Sequence, residues 1–98
     1  MIRHTVLFKW AAEATDEQKK AAATEVGKLP SIVPSVRGFA SGPDEGLAAP
    51  GNFDFAVTAD FDDEAGYLAY RDDPGHREVV QRYLTPIIAQ RAAVQFEF

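Results

Sequence analysis

The chain has 98 residues, which is enough for one hydrophobic core and too few for two. It contains no cysteine, which excludes disulfides and thiolate metal sites, and its formal charge of −5 argues against nucleic acid and anionic membranes as partners. No apolar run approaches the roughly 18 residues of a membrane span, and charges interrupt the N-terminal run too early for a signal peptide, so we expect a single cytoplasmic domain over residues 1–98.

The first predicted element is a strand over Ile2–Trp10. Apolar side chains alternate along it, which is the period of a strand with one buried face. His4 lies on that face together with Val6 and Phe8. A lone histidine on an apolar strand face is more often structural than catalytic, and its partner could be Tyr70, His76 or a backbone carbonyl.

An alanine-rich helix is predicted next, from Thr15 to about Leu29. Its first residues, Thr15-Asp16-Glu17-Gln18, have the pattern of a capping box, and Pro30 is expected to end it. The apolar stripe contains small side chains such as Ala22 and Val26. The helix must therefore lie close to the sheet or leave space beside it.

Two strands are predicted in the middle of the chain, over 36–41 and 53–61. A rigid connector over 30–34 precedes the first, and a loop rich in glycine and proline over 42–52 joins the two. The second strand alternates clearly, with three phenylalanines on one face. That face must be covered by other elements.

Two helical segments and a last strand complete the chain. The first helix is capped by Asp62 or Asp63, and the second begins at Asp73-Pro74, with aspartate as N-cap and proline as the first helical residue. The second helix runs to about Leu84. The last strand, over 92–98, places Val94, Phe96 and Phe98 on one face.

The element order β-α-β-β-α-(α)-β predicts an α+β fold, the ferredoxin-like sandwich, with helices on one face of a four-stranded sheet. Several strands carry apolar residues on their other face as well. A bare sheet face would be more polar than this one, so we expect a second copy of the chain to cover it.

His76 and Tyr70 are the main candidates for chemistry. His76 lies in the first turn of its helix, where the helix dipole and partial burial favour the neutral imidazole, a competent general base. If the stripe that contains Tyr70 faces inward, its phenol could donate to a developing oxyanion in the same cavity. The alternatives are a hydrogen-bonded core histidine and a core aromatic residue.

The chain resembles the stress-responsive α/β-barrel (Dabb) family. The resemblance covers nearly the whole chain and rests on a combination of segments, namely Ile2–Lys9, the 29–36 connector, the Phe55–Phe61 strand and Tyr70-x-x-x-Pro74-x-His76. It implies a dimeric α+β barrel, in which two ferredoxin-like sheets pack against each other in a homodimer.

The resemblance also implies a site. In olivetolic acid cyclase, a plant polyketide cyclase of this family, the general base matches His76, the phenol that polarises the substrate matches Tyr70, and a further pocket histidine matches His4. The substrate pocket implied here comprises Val6, Phe8, Ala22, Val26, Val57, Val79 and Val80. Ala22 and Val26 replace larger residues of the cyclase, and Asp73 stands where the family often has histidine, so the substrate is not inherited.

One metal ion is implied by the resemblance. Some plant members bind a structural magnesium ion near the dimer interface, and the backbone carbonyls that match its ligands are those of Pro30, Val33 and Val36. Oxygen ligands suit this hard cation. No other cofactor is expected.

Three functions follow as expectations. The first is a cofactor-free cyclase or isomerase that acts on a β-keto or phenolic small molecule by acid–base catalysis. The second is a non-enzymatic, stress-related dimer or a module that binds a small apolar ligand. The third is a cofactor-free monooxygenase of quinol-like compounds.

Overall fold

The computed structural model describes residues 1–48 and 50–98 and confirms the predicted order of elements. The regular elements are β1 (Ile2–Trp10), α1 (Asp16–Gly27), α2 (Leu29–Ile32), β2 (Gly38–Pro43), β3 (Phe55–Phe61), α3 (Glu64–Asp72), α4 (Pro74–Val79) and β4 (Ile88–Glu97). After α4 the helix continues as a π-helical turn over Val80–Leu84 and a 3₁₀ turn over Thr85–Ile87.

The four strands form one antiparallel sheet in the order β2-β3-β1-β4. The central strands β1 and β3 pair from Ile2–Phe61 to Phe8–Phe55, which places the apolar residues of both strands on the same face. The helices cover that face, hereafter the inner face. The predicted ferredoxin-like α+β fold is therefore confirmed.

The hydrophobic core lies between the inner face and the helices. The four buried residues of β3 are Phe55, Val57, Ala59 and Phe61, and all of them are at most 4% exposed. Ala22 and Val26 of α1 pack over them and are also buried. Because the side chains of α1 are short, that helix fills little of the volume above the sheet.

The opposite, outer face of the sheet remains apolar and uncovered. Strand register places Val94 opposite Thr5 and Phe96 opposite Arg3, so the apolar row of β4 points away from the helices. Val94 and Phe96 are 54% and 45% exposed. Beside them the Arg3 guanidinium pairs with Asp60 and lies 4.3 Å from the centre of the Phe98 ring.

Three predicted boundaries are wrong. Pro30 does not end the first helix, because α1 stops at Gly27 and Pro30 lies near the start of the separate helix α2, where its missing N–H costs nothing. Strand β2 starts at Gly38 and runs to Pro43, with Pro43 still opposite Phe55 of β3. Proline is tolerated there because β2 is an edge strand.

The other differences concern the ends of β3 and β4. Strand β3 begins at Phe55, because the Asp54 amide donates instead to the Phe8 carbonyl at 2.9 Å. Strand β4 begins at Ile88, four residues earlier than expected. The predicted loop over 42–52 includes Ala49, which lies outside the described residues.

Candidate functional site

The corner between α3 and α4 positions both candidate catalytic residues. Asp63 caps α3 by accepting from the Gly66 amide at 2.9 Å. Asp73 caps α4 by accepting from the amides of Gly75 and His76 at 2.8 and 3.1 Å, and Pro74 follows it, as predicted. The caps explain why the chain stops one helix and starts another within a single turn.

This corner brings Tyr70 and His76 together. The stripe of α3 that contains Tyr70 faces inward, and the Tyr70 side chain is only 2% exposed, whereas Leu68 on the opposite side is 41% exposed. The ring centres of Tyr70 and His76 are 4.0 Å apart with an angle of 32° between the planes. The rings of Tyr70 and His4 are 6.0 Å apart.

All three predicted catalytic residues line one cavity of about 290 Å³ between the inner face and the helices. Of the seven residues expected in the pocket, Val6, Phe8, Val26, Val57 and Val80 line it. Ala22 and Val79 instead lie in the core without reaching the cavity. Because ligand pockets usually span about 300–1,000 Å³, a cavity of this size suits a small molecule.

His76 is held as a neutral imidazole. Burial lowers its pKa, and it outweighs the opposing effects of the Arg71 backbone, the Asp73 carboxylate and the Tyr70 backbone. The Nδ1 atom is fully buried and has no hydrogen-bond partner within the described chain. Nε2 is therefore the ring nitrogen that a ligand in the cavity could reach.

His4 is buried more deeply than His76. Only 4% of its surface is exposed, and burial lowers its pKa to about 4. Its Nδ1 lies 2.8 Å from Nε2 of Gln95, the residue opposite it on β4. When the amide N–H donates to Nδ1, the ring proton is on Nε2, and His4 becomes a hydrogen-bond donor.

Tyr70 keeps its proton under all ordinary conditions. Burial raises the pKa of its phenol, and the nearby Tyr67 contributes in the same direction. The Phe61 ring supports both tyrosines, at 5.2 Å from the Tyr70 ring and 5.8 Å from the Tyr67 ring. A protonated phenol at a fixed position can donate a hydrogen bond but cannot act as a base at neutral pH.

Four polar residues at this site were not predicted: Tyr67, Arg71 and Arg91, which line the cavity, and Gln95, which contacts His4. The signal for two of them was present. Since Val94 and Phe96 occupy the outer face, the alternation of β4 requires Arg91 and Gln95 to face inward. The prediction for this strand named only its apolar residues and not the polar residues that alternate with them.

The magnesium site stays a prediction. Within the described residues, no three histidine, cysteine or acidic side chains group to hold a metal. Of the three carbonyls, that of Val33 already accepts from the Val36 amide at 3.3 Å. The guanidinium of Arg37 lies on the same connector and donates to the Pro34 carbonyl at 2.8 Å. The same guanidinium pairs with the Asp62 carboxylate at 3.1 Å, and a magnesium ion has no part in the chemistry proposed below.

A larger depression, of about 580 Å³, lies on the outer side of the sheet, against the loop after β2. Leu7, Phe53 and Ala56 contribute to its lining, which contains no histidine and no tyrosine. Its described lining includes the carboxylates of Asp44 and Glu45 but none of the imidazole and phenol groups that meet in the inner cavity.

The stability of the protein should fall as the pH drops from about 6.5 to about 4. The unfolded His4 has a pKa near 6.5 and the folded one near 4, so the unfolded chain binds more protons in this range and acid favours unfolding. Between pH 7 and pH 5 this residue alone should cost about 2 kcal/mol, and His76 acts in the same direction. Urea unfolding at the two pH values measures the loss.

The matched control is His4→Phe, which keeps an aromatic ring and removes the titrating group. Its unfolding free energy should change less between pH 7 and pH 5 than that of the wild type. The chain has only two histidines, and carboxyl groups titrate mainly below this range. Equal losses in wild type and variant would contradict the assignment to His4.

Residues 2–98 match the family model described as the stress responsive A/B barrel domain (Dabb). The chain belongs to this family. The structure is similar to a dimeric ferredoxin-like protein of unknown function from Thermobifida fusca, with 45% sequence identity and a TM-score of 0.90, covering 99% of this chain and 90% of that one. No curated protein matches the chain.

Two more distant structures share the fold of the family. A Dabb protein from Mesorhizobium loti is 23% identical, with a TM-score of 0.81 and coverage of 99% of this chain and 95% of that one. The hydroxynitrile lyase from Passiflora edulis is 19% identical, with a TM-score of 0.84 and coverage of 97% and 90%. None of the helices in residues 1–48 and 50–98 is long and apolar enough to cross a membrane.

Proposed function

We propose that the inner cavity binds a small, largely apolar carbonyl compound and transfers a proton at one of its carbon atoms, as a cofactor-free cyclase or isomerase does. The observation that carries this proposal is the meeting of His76, Tyr70 and His4 in one small cavity whose walls are otherwise mainly apolar. Neutral imidazoles and a protonated phenol in such a setting are suited to enolate chemistry.

Each polar group has a distinct role in the proposed step. Nε2 of His76 removes a proton from the carbon next to the carbonyl, the electron pair of the C–H bond forms a C=C bond, and the π electron pair of the carbonyl moves to its oxygen. The hydroxyl of Tyr70 donates a hydrogen bond to the enolate oxygen, and the Nε2–H of His4 provides a second donor.

The imidazolium of His76 then returns the proton. In an isomerisation of a β,γ-unsaturated ketone, the enolate is a conjugated dienolate and the proton goes to its γ-carbon, which moves the double bond into conjugation with the carbonyl. In a cyclisation the enolate carbon first attacks a second carbonyl of the same molecule, a C–C bond forms, and the new alkoxide takes the proton. In both reactions the proton and the electrons are accounted for without an oxidant or a metal ion.

The fold itself accommodates enzymes, as the name of the Passiflora hydroxynitrile lyase indicates. Fold similarity alone does not carry a reaction from one protein to another. The proposal therefore depends on the side chains of this chain, and its alternative is a module that binds the same ligand without turnover.

Proton exchange tests the proposal directly. Neutral apolar ketones and β-keto esters are incubated with the protein in deuterium oxide, and NMR follows loss of the signal from the carbon-bound proton next to the carbonyl. The protein should accelerate exchange above the rate in buffer for at least one compound. Binding without accelerated exchange would support the ligand-binding module instead.

We also propose that the chain forms a homodimer through the outer face and acts in the cytoplasm. Val94 and Phe96 leave an apolar surface there, and the relative from Thermobifida fusca is described as dimeric. Packing two such faces together would remove the apolar row from water and complete the α+β barrel.

Charge introduced on the outer face should separate the subunits. In the double variant Val94→Glu/Phe96→Glu, two carboxylates per chain would be buried against each other at the interface, which is costly. Sedimentation should give the wild type about twice the monomer mass of 10.7 kDa and the variant the monomer mass. Ile32→Glu, at a 40% exposed position on α2, is the control and should stay dimeric. A monomeric wild type would contradict the proposal.

A further inference from the structure

The inner cavity is positively charged in a protein that is negative overall. The chain has 15 acidic and 10 basic residues, yet among the described residues that line the cavity none is acidic and two, Arg71 and Arg91, are arginines. Both arginines are exposed, so they lie at the mouth rather than in the interior. A ligand that enters the cavity passes these two guanidinium groups.

The two arginines differ in their partners. The guanidinium of Arg71 makes two hydrogen bonds to the Asp72 carboxylate, at 2.9 and 3.1 Å, which neutralises its charge. Arg91 makes no salt bridge and no side-chain hydrogen bond within residues 1–48 and 50–98. Its five N–H donors are therefore available at the mouth of the cavity.

The register of the sheet directs Arg91 toward the catalytic residues. Arg91 lies opposite Phe8 on the inner face, with Gln95, the partner of His4, on the same face of β4. The positive charge of Arg91 lowers the pKa of both His4 and His76. Arg91 lines the same cavity as both imidazole rings, so a ligand that fills the cavity can contact all three side chains.

We propose that Arg91 binds a carboxylate of the ligand at the mouth of the cavity, so that the substrate is a small apolar compound with a carboxylate at one end and its carbonyl group inside. The planar guanidinium matches a carboxylate in a two-bond arrangement. The carbonyl part rests on the proposed function, whereas the carboxylate part is a property of binding alone.

Paired ligands test this specificity. Isothermal titration compares 4-butylbenzoate with 4-butylbenzamide, which has the same apolar body without the charge. Wild type should bind the acid at least about tenfold more tightly than the amide. Arg91→Gln should abolish that preference, and Arg91→Lys should keep part of it. Arg71→Gln/Asp72→Asn, which removes this ion pair without changing the net charge, is the matched control and should retain the preference.

Several results would overturn the inference. These are equal affinities of wild type for the two compounds, no binding of either compound at millimolar concentration, an unchanged preference in Arg91→Gln, or a preference lost equally in Arg71→Gln/Asp72→Asn. The proton-exchange assay uses neutral ketones, so it can fail while the preference for the acid persists, and the reverse also holds. The two proposals are thus tested separately.

Discussion

His76→Ala should slow protein-catalysed proton exchange by about 10² or more, because general-base catalysis typically contributes about 10²–10⁴. The substitution removes the only imidazole in the cavity whose Nε2 is free to accept a proton, since Nε2 of His4 carries the ring proton when Gln95 donates to Nδ1. NMR rates with the same neutral ketone, at equal protein concentration, give the ratio directly. Binding of the ketone should change far less than the exchange rate.

Two further variants sharpen this prediction. Tyr70→Phe keeps the stacked ring and removes only the hydroxyl, and it should reduce exchange by about 10², the effect of losing one oxyanion donor. Glu78→Ala alters an exposed residue on the same helix as His76 and should leave the rate unchanged. If His76→Ala exchanges the ketone as fast as Glu78→Ala does, His76 is not the base.

Phe61→Ala should lower the free energy of unfolding by about 3–5 kcal/mol, as for other large aromatic side chains removed from a core. Phe61 is among the largest fully buried side chains, with 0% exposure. Removing its ring also withdraws support from Tyr70, which it contacts obliquely, and from Tyr67, which it contacts edge-on. Urea unfolding at one fixed protein concentration measures the change and avoids the concentration dependence of a dimer.

Leu68→Ala provides the comparison for Phe61→Ala. Leu68 belongs to the helix above Phe61 but points outward and is 41% exposed, so its truncation should change stability by less than about 1 kcal/mol. Similar losses for the two variants would mean that the core is not centred on Phe61. Phe61→Ala should also weaken ligand binding, because Tyr67 and Tyr70, which Phe61 contacts, line the cavity.

The fold could be predicted from the sequence because each element carries a local signal. Alternation along β1 and β3, the capping box at Thr15 and the Asp73-Pro74 start of α4 depend only on neighbouring residues, and the structure contains all of them. The boundaries predicted wrongly lie where tertiary contacts, rather than the local sequence, determine where an element begins or ends. The Asp54 amide, for example, donates a hydrogen bond to the Phe8 carbonyl of β1, a contact that no local pattern predicts.

The site was predictable only in part, for the same reason. Tyr70 and His76 are close in sequence across a recognisable helix break, and their meeting could be anticipated. Arg91 reaches the cavity, and Gln95 reaches His4, through the pairing of β4 with β1, across more than 80 residues of chain. Their contribution depends on strand register, which alternation alone does not establish.

Strand β4 carries two unrelated tasks on alternate residues. Arg91 and Gln95 face the cavity, while Val94 and Phe96 face outward. Because side chains alternate with a period of two, inserting or deleting one residue of β4 just before Arg91 would exchange the faces: valine and phenylalanine would enter the polar site, and arginine would enter the apolar surface. Point substitutions on either face can vary independently, but the length of this strand is constrained by both at once.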